Sequence, residues 1–404
     1  MRKPSAVRKI LIVRPDALGD IILTLPLLMA LKKALPHVEV YYLCSTYTAP
    51  LLLVHPEVSG IIIDDYYKSK KRSDYWALLA QLKKRQFDVS IHCYNELDHA
   101  LLTWIAGIPM RIGDRLKVGP NLFYSHSIPQ GFRNFFCHEL DLNMQLLAPL
   151  DVPILQKPEY GLESLTLPDF EVKNLPTDYL IVHPGMGRGN GNIIWPLERF
   201  RELISRLSGE GYNIVVTGGG SAEATRNEKI CNKLVNVINL TNQTGLLDLV
   251  KLIQKARAFI SVDTGPMHIA AALKIPVVLL SPTKYIKPNR WAPYGFHRIV
   301  TPRIPCLKIC YPFKCVSSDC IEGLWVEDVV SAVQNVLSEL HPETVDFKLE
   351  MLRVSLNILN LSSSELTQEL SGFKIYCRQD MDRSFIPFVW THDINVVIKD
   401  KVNL

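Results

Sequence analysis

Four turns in this 404-residue sequence combine residue types that can do chemistry on an oxygen-rich, anionic ligand. The segment SVDTGPMHIAAALK sets Asp263, Thr264, Gly265, Met267 and His268 between an apolar run and an Ala-rich helical pattern. Such a turn offers unpaired N–H groups, a hydroxyl and an imidazole at a helix start, a receptor suited to a pyrophosphate. In HPGMGRGNGN (183–192) four glycines, Gly185 the first, let backbone N–H groups approach phosphate oxygens, and Arg188 supplies a charged fork. The plain alternative is a flexible loop with no ligand. In TGGGSAE, Glu223 can accept from ribose hydroxyls or simply decorate a first helical turn. In RPDALGD, Asp20 follows an apolar strand and reads either as a general base or, more plainly, as a helix cap. Neither a GxGxxG fingerprint in that first turn nor a GxxxxGK[ST] loop anywhere supports a dinucleotide or ATPase site.

These turns recur because the elements around them recur. KILIVR is a short buried strand. Ile21 to Leu35 follows as a helix, with Pro26 either early in it or bending it. VEVYYLC, GIIIDD, FDVSIHC and MRIGD continue as strands, alternating with helical TAPLLLVHP, WALLAQLKKR and HALLTWIAG. From about 150 to 178, four prolines and no sustained apolar period indicate a linker. The rhythm then restarts with YLIVHPG, IVVTGGG, VINL, AFISVDTGP and IPVVLLSPT as strands between amphipathic helices. The expected fold is α/β: residues 1–155 and 179–340 as two open parallel-sheet domains, 156–178 as linker, and an interdomain cleft beyond the strands' carboxyl ends. Residues 341–404 read as a small accessory subdomain or tail, and Asp380 to Asp382 within it as surface.

Composition bounds the partners. With 48% hydrophobic and 21% charged residues the chain is globular, and a net charge of +5 favours an anionic small substrate or an anionic membrane surface over nucleic acid. No signal peptide or apolar run of spanning length is visible, so a cytoplasmic location and cysteines kept as thiols or metal ligands are expected. The cluster Cys306, Cys310, Cys315 and Cys320 leaves three readings open: packed thiols, a structural metal, or a disulfide.

KILIVRPDALGDIILTLPLLMALKKALP, HPG…WPLERFRELISRL, VVTGGGSAE and DTGPMHIAAALKIPVVLLSPT together resemble, in order, the ADP-heptose:lipopolysaccharide heptosyltransferase family, glycosyltransferase family 9. CLKICYPFKCVSSDCIEGL resembles the cysteine-bearing segment of many members, and the likeness covers about residues 9 to 340. The resemblance implies an inverting transferase of GT-B type, with residues 1–155 and 179–340 as its two Rossmann-like domains. Asp20 stands at the position of the family's general base. Thr264, Gly265, Met267 and His268 stand at its donor-diphosphate turn, and Glu223 at its ribose contact. It implies ADP-heptose or another nucleotide-sugar as donor and a glycan or lipid-linked acceptor. It also implies transient contact with the anionic inner membrane, for which Lys68, Lys70, Lys71 and Arg72 are candidates. No cofactor and no metal is demanded if helix N-termini and His268 carry the leaving-group charge. One departure stands out: where the family commonly has Lys before its WP pair, this chain has Ile193, with Arg188 or Lys284 as substitutes for the charge. A nucleotide-sugar epimerase, a non-catalytic sugar-binding relative, and a family transferase for another glycan or a protein acceptor are the alternatives.

Overall fold

A computed structural model describes residues 7–130, 137–155, 157–185, 195–281, 290–303 and 319–338, together with three two-residue strands farther along the chain. Arg188, Ile193, Lys284, Cys306, Cys310, Cys315 and Asp380 to Asp382 lie outside the described residues.

The first sheet is built from β1 (Lys9–Val13), β2 (Glu39–Cys44), β3 (Gly60–Ile63), β4 (Val89–His92), β5 (Met110–Asp114) and β6 (His126–Ile128). The second uses β7 (Leu180–His183), β8 (Ile214–Val216), β9 (Val237–Asn239), β10 (Ala258–Val262), β11 (Val277–Leu280) and β12 (His297–Val300). Their orders are β3-β2-β1-β4-β5-β6 and β12-β11-β10-β7-β8-β9, which read from either end are the same doubly wound arrangement, with every pairing parallel. The central strands carry continuous apolar runs because helices cover both faces, and β1, β7 and β10 are buried along almost their whole length. Two separate sheets, as the sequence predicts, thus form the GT-B frame. Lys374–Ile375, Val389–Trp390 and Asn395–Val396 pair antiparallel.

The helices needed below are α1 (Leu18–Ile22), α2 (Leu25–Ala34), α3 (Ala49–Leu53), α4 (Asp65–Ser69), α5 (Arg72–Arg85), α6 (Leu97–Ile105), α7 (Glu139–Gln145), α8 (Leu197–Gly209), α9 (Ser221–Cys231), α10 (Leu246–Gln254) and α11 (Gly265–Ala272). The helix expected from Ile21 to Leu35 is two helices. Pro26 sits in the first turn of α2, where its missing N–H is tolerated, and Thr24 closes the gap by donating its N–H and hydroxyl to the Ile21 carbonyl at 2.9 and 2.7 Å. The proline-rich stretch is not a free tether either. Tyr160, Leu162 and Leu165 are buried, and His55 Nε2 lies 2.9 Å from the Tyr160 carbonyl.

One apolar cluster runs from the α1–α2 face of the first sheet, through α10 and α11, to a face of the second sheet. At its centre α1 lies directly on α11, across a contact that only glycine permits. A β-carbon on Gly19 would stand 2.6 Å from His268 Cδ2, and one on Gly265 would stand 2.8 Å from Leu18 Cβ. A Gly265→Ala chain is expected to lose about 1–3 kcal/mol of stability by overpacking, read as a lower urea midpoint. Gly209→Ala, with nothing within 4 Å of the added carbon, is expected to lose none. Equal midpoints for the two would show that the α1–α11 contact is loose.

Candidate active site at the interdomain contact

Arg14 is the residue after β1, and it turns back under the sheet edge as a buried guanidinium. Its Nη1 donates to the Cys93 carbonyl and, at 2.9 Å, to Glu139 Oε1, while its Nη2 donates to Asp20 Oδ1. Its Nε lies 2.9 Å from Asp16 Oδ1, an ion pair without hydrogen-bond alignment. Glu139 turns its other oxygen to the second domain. Arg290 brings Nε and Nη2 to that single oxygen, Oε2, each at 2.8 Å, with Nε donating a charge-assisted hydrogen bond. The neighbouring Trp291 hydrogen-bonds Asp20. His138 caps α7 by accepting the Leu140 N–H on Nδ1, which leaves the proton on Nε2 for the Ala292 carbonyl at 2.9 Å. Residues 138–139 of one half and 290–292 of the other are therefore stitched by charge and by hydrogen bond.

Asp20 is not a helix cap. The N-cap of α1 is Ala17, no side chain caps it, and Asp20 lies inside the first turn with its carboxylate committed to Arg14. Burial raises its affinity for a proton; Arg14 opposes the rise, and the Glu139 charge adds to it, leaving Asp20 above the ordinary carboxylate range. Asp16 is pushed up to about 7 by burial, against the pull of Arg14. Glu139 goes the other way: burial would raise it, but Arg14 and Arg290 outweigh that and hold it below its usual value.

On the second sheet, the turns after β10, β7 and β8 lie side by side because those strands are neighbours. Asp263 and Thr264 lead into α11, and the Thr264 hydroxyl lies 2.9 Å from the Ser261 hydroxyl. Glu223 is in the first turn of α9, accepts from the Gly219 N–H at 2.8 Å, and lies so close over Gly185 that a β-carbon there would overlap both its oxygens. The Gly185 and Glu223 turns are thus brought together.

Two expectations for this turn need correction. Met267 is fully buried in the shared apolar cluster, and its N–H is donated to the Thr264 carbonyl within the turn at 3.2 Å, so its side chain cannot face a ligand. His268 cannot carry charge near neutrality: burial, with His138 adding to it, lowers its imidazole to about 3. What the neutral ring offers is Nδ1, a buried nitrogen with no hydrogen-bond partner.

Glu139, Arg290, Trp291 and His138 escaped the sequence reading, since no motif surrounds them. Arg226 did as well; its Nη2 donates to the Pro184 carbonyl at 2.6 Å and its Nε is unpartnered beside the Gly185 turn. Of the clustered cysteines only Cys320 is described, half-buried and outside any disulfide, and among the described residues no group of three or more metal-ligating side chains occurs. Cys137, expected as a thiol, is disulfide-bonded, with its partner outside the described residues.

The sequence profile of glycosyltransferase family 9 (heptosyltransferase) matches residues 75–317. Lipopolysaccharide heptosyltransferase 1 of Pseudomonas aeruginosa is 27% identical, over 85% of this chain and 98% of its own. The family 9 glycosyl transferase of Veillonella parvula superposes with a TM-score of 0.69 at 20% identity, covering 82% of this chain and 98% of its own. An Escherichia coli heptosyltransferase solved with ADP does so at 0.64 and 20%, covering 81% and 99%.

The buried histidines make the fold acid-sensitive. His55, His92, His138, His183, His268 and His297 are all held below the ordinary imidazole value by burial. A lowered histidine contributes stability that is present above about pH 6.5 and is lost as pH falls. Asp16 and Asp20, raised in the fold, act with the opposite sign. Six groups against two predict net proton uptake on unfolding and a falling urea midpoint from pH 7 to pH 5. Removing one of them with His268→Asn should flatten the dependence by up to about 1.4 kcal/mol per pH unit. A midpoint that rises or stays level in wild type contradicts the neutral assignments.

Proposed function

This chain belongs to glycosyltransferase family 9, and from that premise we propose that it transfers a heptose or related sugar with inversion from ADP-heptose or another nucleotide-sugar. The proposed acceptor is a lipopolysaccharide core or similar lipid-linked glycan at the cytoplasmic face of an anionic membrane. The observation that carries the reading is the seating of α1 on α11, which brings the helix that carries the half-buried Asp20 carboxylate against the Asp263–His268 turn. The relatives' names supply the sugar, and the ADP bound to the Escherichia coli protein supports an adenine nucleotide.

In this reading the acceptor hydroxyl gives its proton to Asp20 as its oxygen attacks the anomeric carbon. The bond from that carbon to the diphosphate breaks on the opposite face, which inverts the centre. A carboxylate with raised proton affinity is suited to that role. The departing diphosphate gathers charge, met by the Gly265 N–H at the start of α11, the Thr264 hydroxyl and a hydrogen bond from neutral His268. The ribose lies near Glu223, over Gly185. Arg188 stays a candidate phosphate contact, and Arg226 adds a cation beside the same turn. Arg14 and Glu139 touch no substrate here; they are positioning residues that set where Asp20 stands and how tightly it holds a proton. Ile193, in place of the family's lysine, favours a second reading in which the donor or acceptor differs from heptose and core.

Asp20→Asn keeps an oxygen for Arg14 to hold, so the fold should stand while the rate falls by about a hundredfold to ten-thousandfold. The wild-type rate should fall as pH drops through a folded value above the ordinary carboxylate range, and the variant's residual rate should lose that limb. Glu139→Gln removes a charge that raises Asp20, so the acid limb should move to lower pH. Asp16→Asn should retain more activity than Asp20→Asn. Turnover of folded Asp20→Asn within about threefold of wild type, measured as nucleotide diphosphate release, removes Asp20 from the chemistry.

A further inference from the structure

Helix α6 is apolar on both sides. His99, Ala100, Leu102 and Thr103 face the first sheet, yet Leu97, Leu101 and Trp104 recur at helical spacing on the outside. Trp104 remains 52% exposed. The loop after β5 packs along α6: the Trp104 and Phe123 rings are 5.7 Å apart, and Gly119 lies under Leu97. That loop adds Val118 and Leu122, exposed by 90% and 80%. On the same layer α5 carries Trp76, exposed by 51%. Two tryptophans and several aliphatics left outside one pair of helices form more apolar surface than scattered exposure produces.

The charge around this patch is one-sided. Residues 65–123 hold ten Lys and Arg against six Asp and Glu. Of the acids nearest the patch, Asp98 is paired with Lys70 at 3.5 Å and Glu96 with Lys117 at 3.8 Å. Lys68 in the last turn of α4 and Lys71 and Arg72 at the start of α5 stand exposed. That end of α5 is tied to α6 through Tyr66, whose ring meets Tyr75 at 5.2 Å and whose hydroxyl donates to Asp98 at 2.9 Å. Among the described residues no helix is long and apolar enough to cross a membrane. Tryptophan beside lysine and arginine, at the rim of an aliphatic patch, is the pattern that settles at the boundary between headgroups and acyl chains.

We propose that the outer face of α5, α6 and the 115–123 loop is the surface by which this protein lies on an anionic phospholipid bilayer. The proposal rests on the lipid-linked acceptor of the reading above for its use, and on this patch for its location. Helices α5 and α6 start at the carboxyl edge of the first sheet, the edge that also carries Arg14 and Asp20. A bilayer meeting this face therefore lies along the side from which an anchored acceptor enters.

Sedimentation with vesicles of phosphatidylglycerol and phosphatidylethanolamine tests it without a donor or acceptor. Wild type should bind these vesicles, bind phosphatidylcholine vesicles at least about tenfold more weakly, and shift its tryptophan emission to the blue. Val118→Ser with Leu122→Ser, two exposed positions whose loss leaves the fold intact, should reduce binding about tenfold or more. Changing Lys68, Lys71 and Arg72 to Ser should do the same and remove most of the salt dependence. Nucleotide diphosphate release with a water-soluble acceptor should stay at the wild-type level in both variants, which separates this proposal from the transferase reading. Binding that is absent in wild type, or unchanged in both variants, overturns it. So does a patch-dependent dimer that forms without lipid, which would assign the face to a second copy.

Discussion

The buried guanidinium of Arg14 is the point on which the site is built. One cation answers Asp16, Asp20 and Glu139, and Glu139 hands the charge on to Arg290 of the other half. A buried charge stripped of its partner is costly, by about 3–5 kcal/mol, so each member constrains the rest. Asp20 is held in place by Arg14 and Trp291, and its appetite for protons is set by a balance of burial, one attractive cation and one repulsive anion. Placing the carboxylate and tuning it are therefore the same act. Because Glu139 is shared, the tuning depends on the two halves staying together at this seam.

Around that seam the fold is continuous. The apolar cluster that includes Leu18 and Ile21 also includes Met267, Ala270 and Ala271, and α3 and α10 touch as well. Membership of glycosyltransferase family 9 fits this two-sheet architecture. The neutral state of His268 follows from the same packing: a ring pressed against Gly19 has no water with which to stabilise a proton. In the transfer proposed above, stabilisation of a leaving diphosphate then depends on hydrogen bonds and a helix start more than on a formal charge.

Much of this is visible in the chain before it folds. Apolar runs of four to six residues ending in Gly, Asp or Thr give the strands and the turns beyond them, because parallel strands covered on both faces must be apolar throughout. Asp20, Glu223 and Thr264 stand in such turns. Local sequence fails where a property belongs to the tertiary structure. Asp20 has the composition of a cap, but Ala17 holds that position and Arg14 claims the carboxylate. Met267 looks like part of a binding turn, but helical spacing turns it into the core. Glu139 belongs to no motif; its meaning comes from Arg14 and Arg290, more than a hundred residues away on either side. The stretch from 150 to 178 has a linker's composition, yet Tyr160 and Leu162 plug the α3 side of the core.

The glycine contact between α1 and α11 has a consequence for how such chains diversify. Gly19 and Gly265 are neighbours in space, each without room for a single added carbon, although they are read from distant parts of the gene. Neither half can drift alone at these positions. A side chain gained at 19 is accepted only if the ring at 268 gives way, and that ring is needed where it stands. The two halves share one strand order, but they are not exchangeable modules. Recombination between diverged relatives would join surfaces tailored to different partners, and the mismatch would fall on the few ångströms where α1 meets α11.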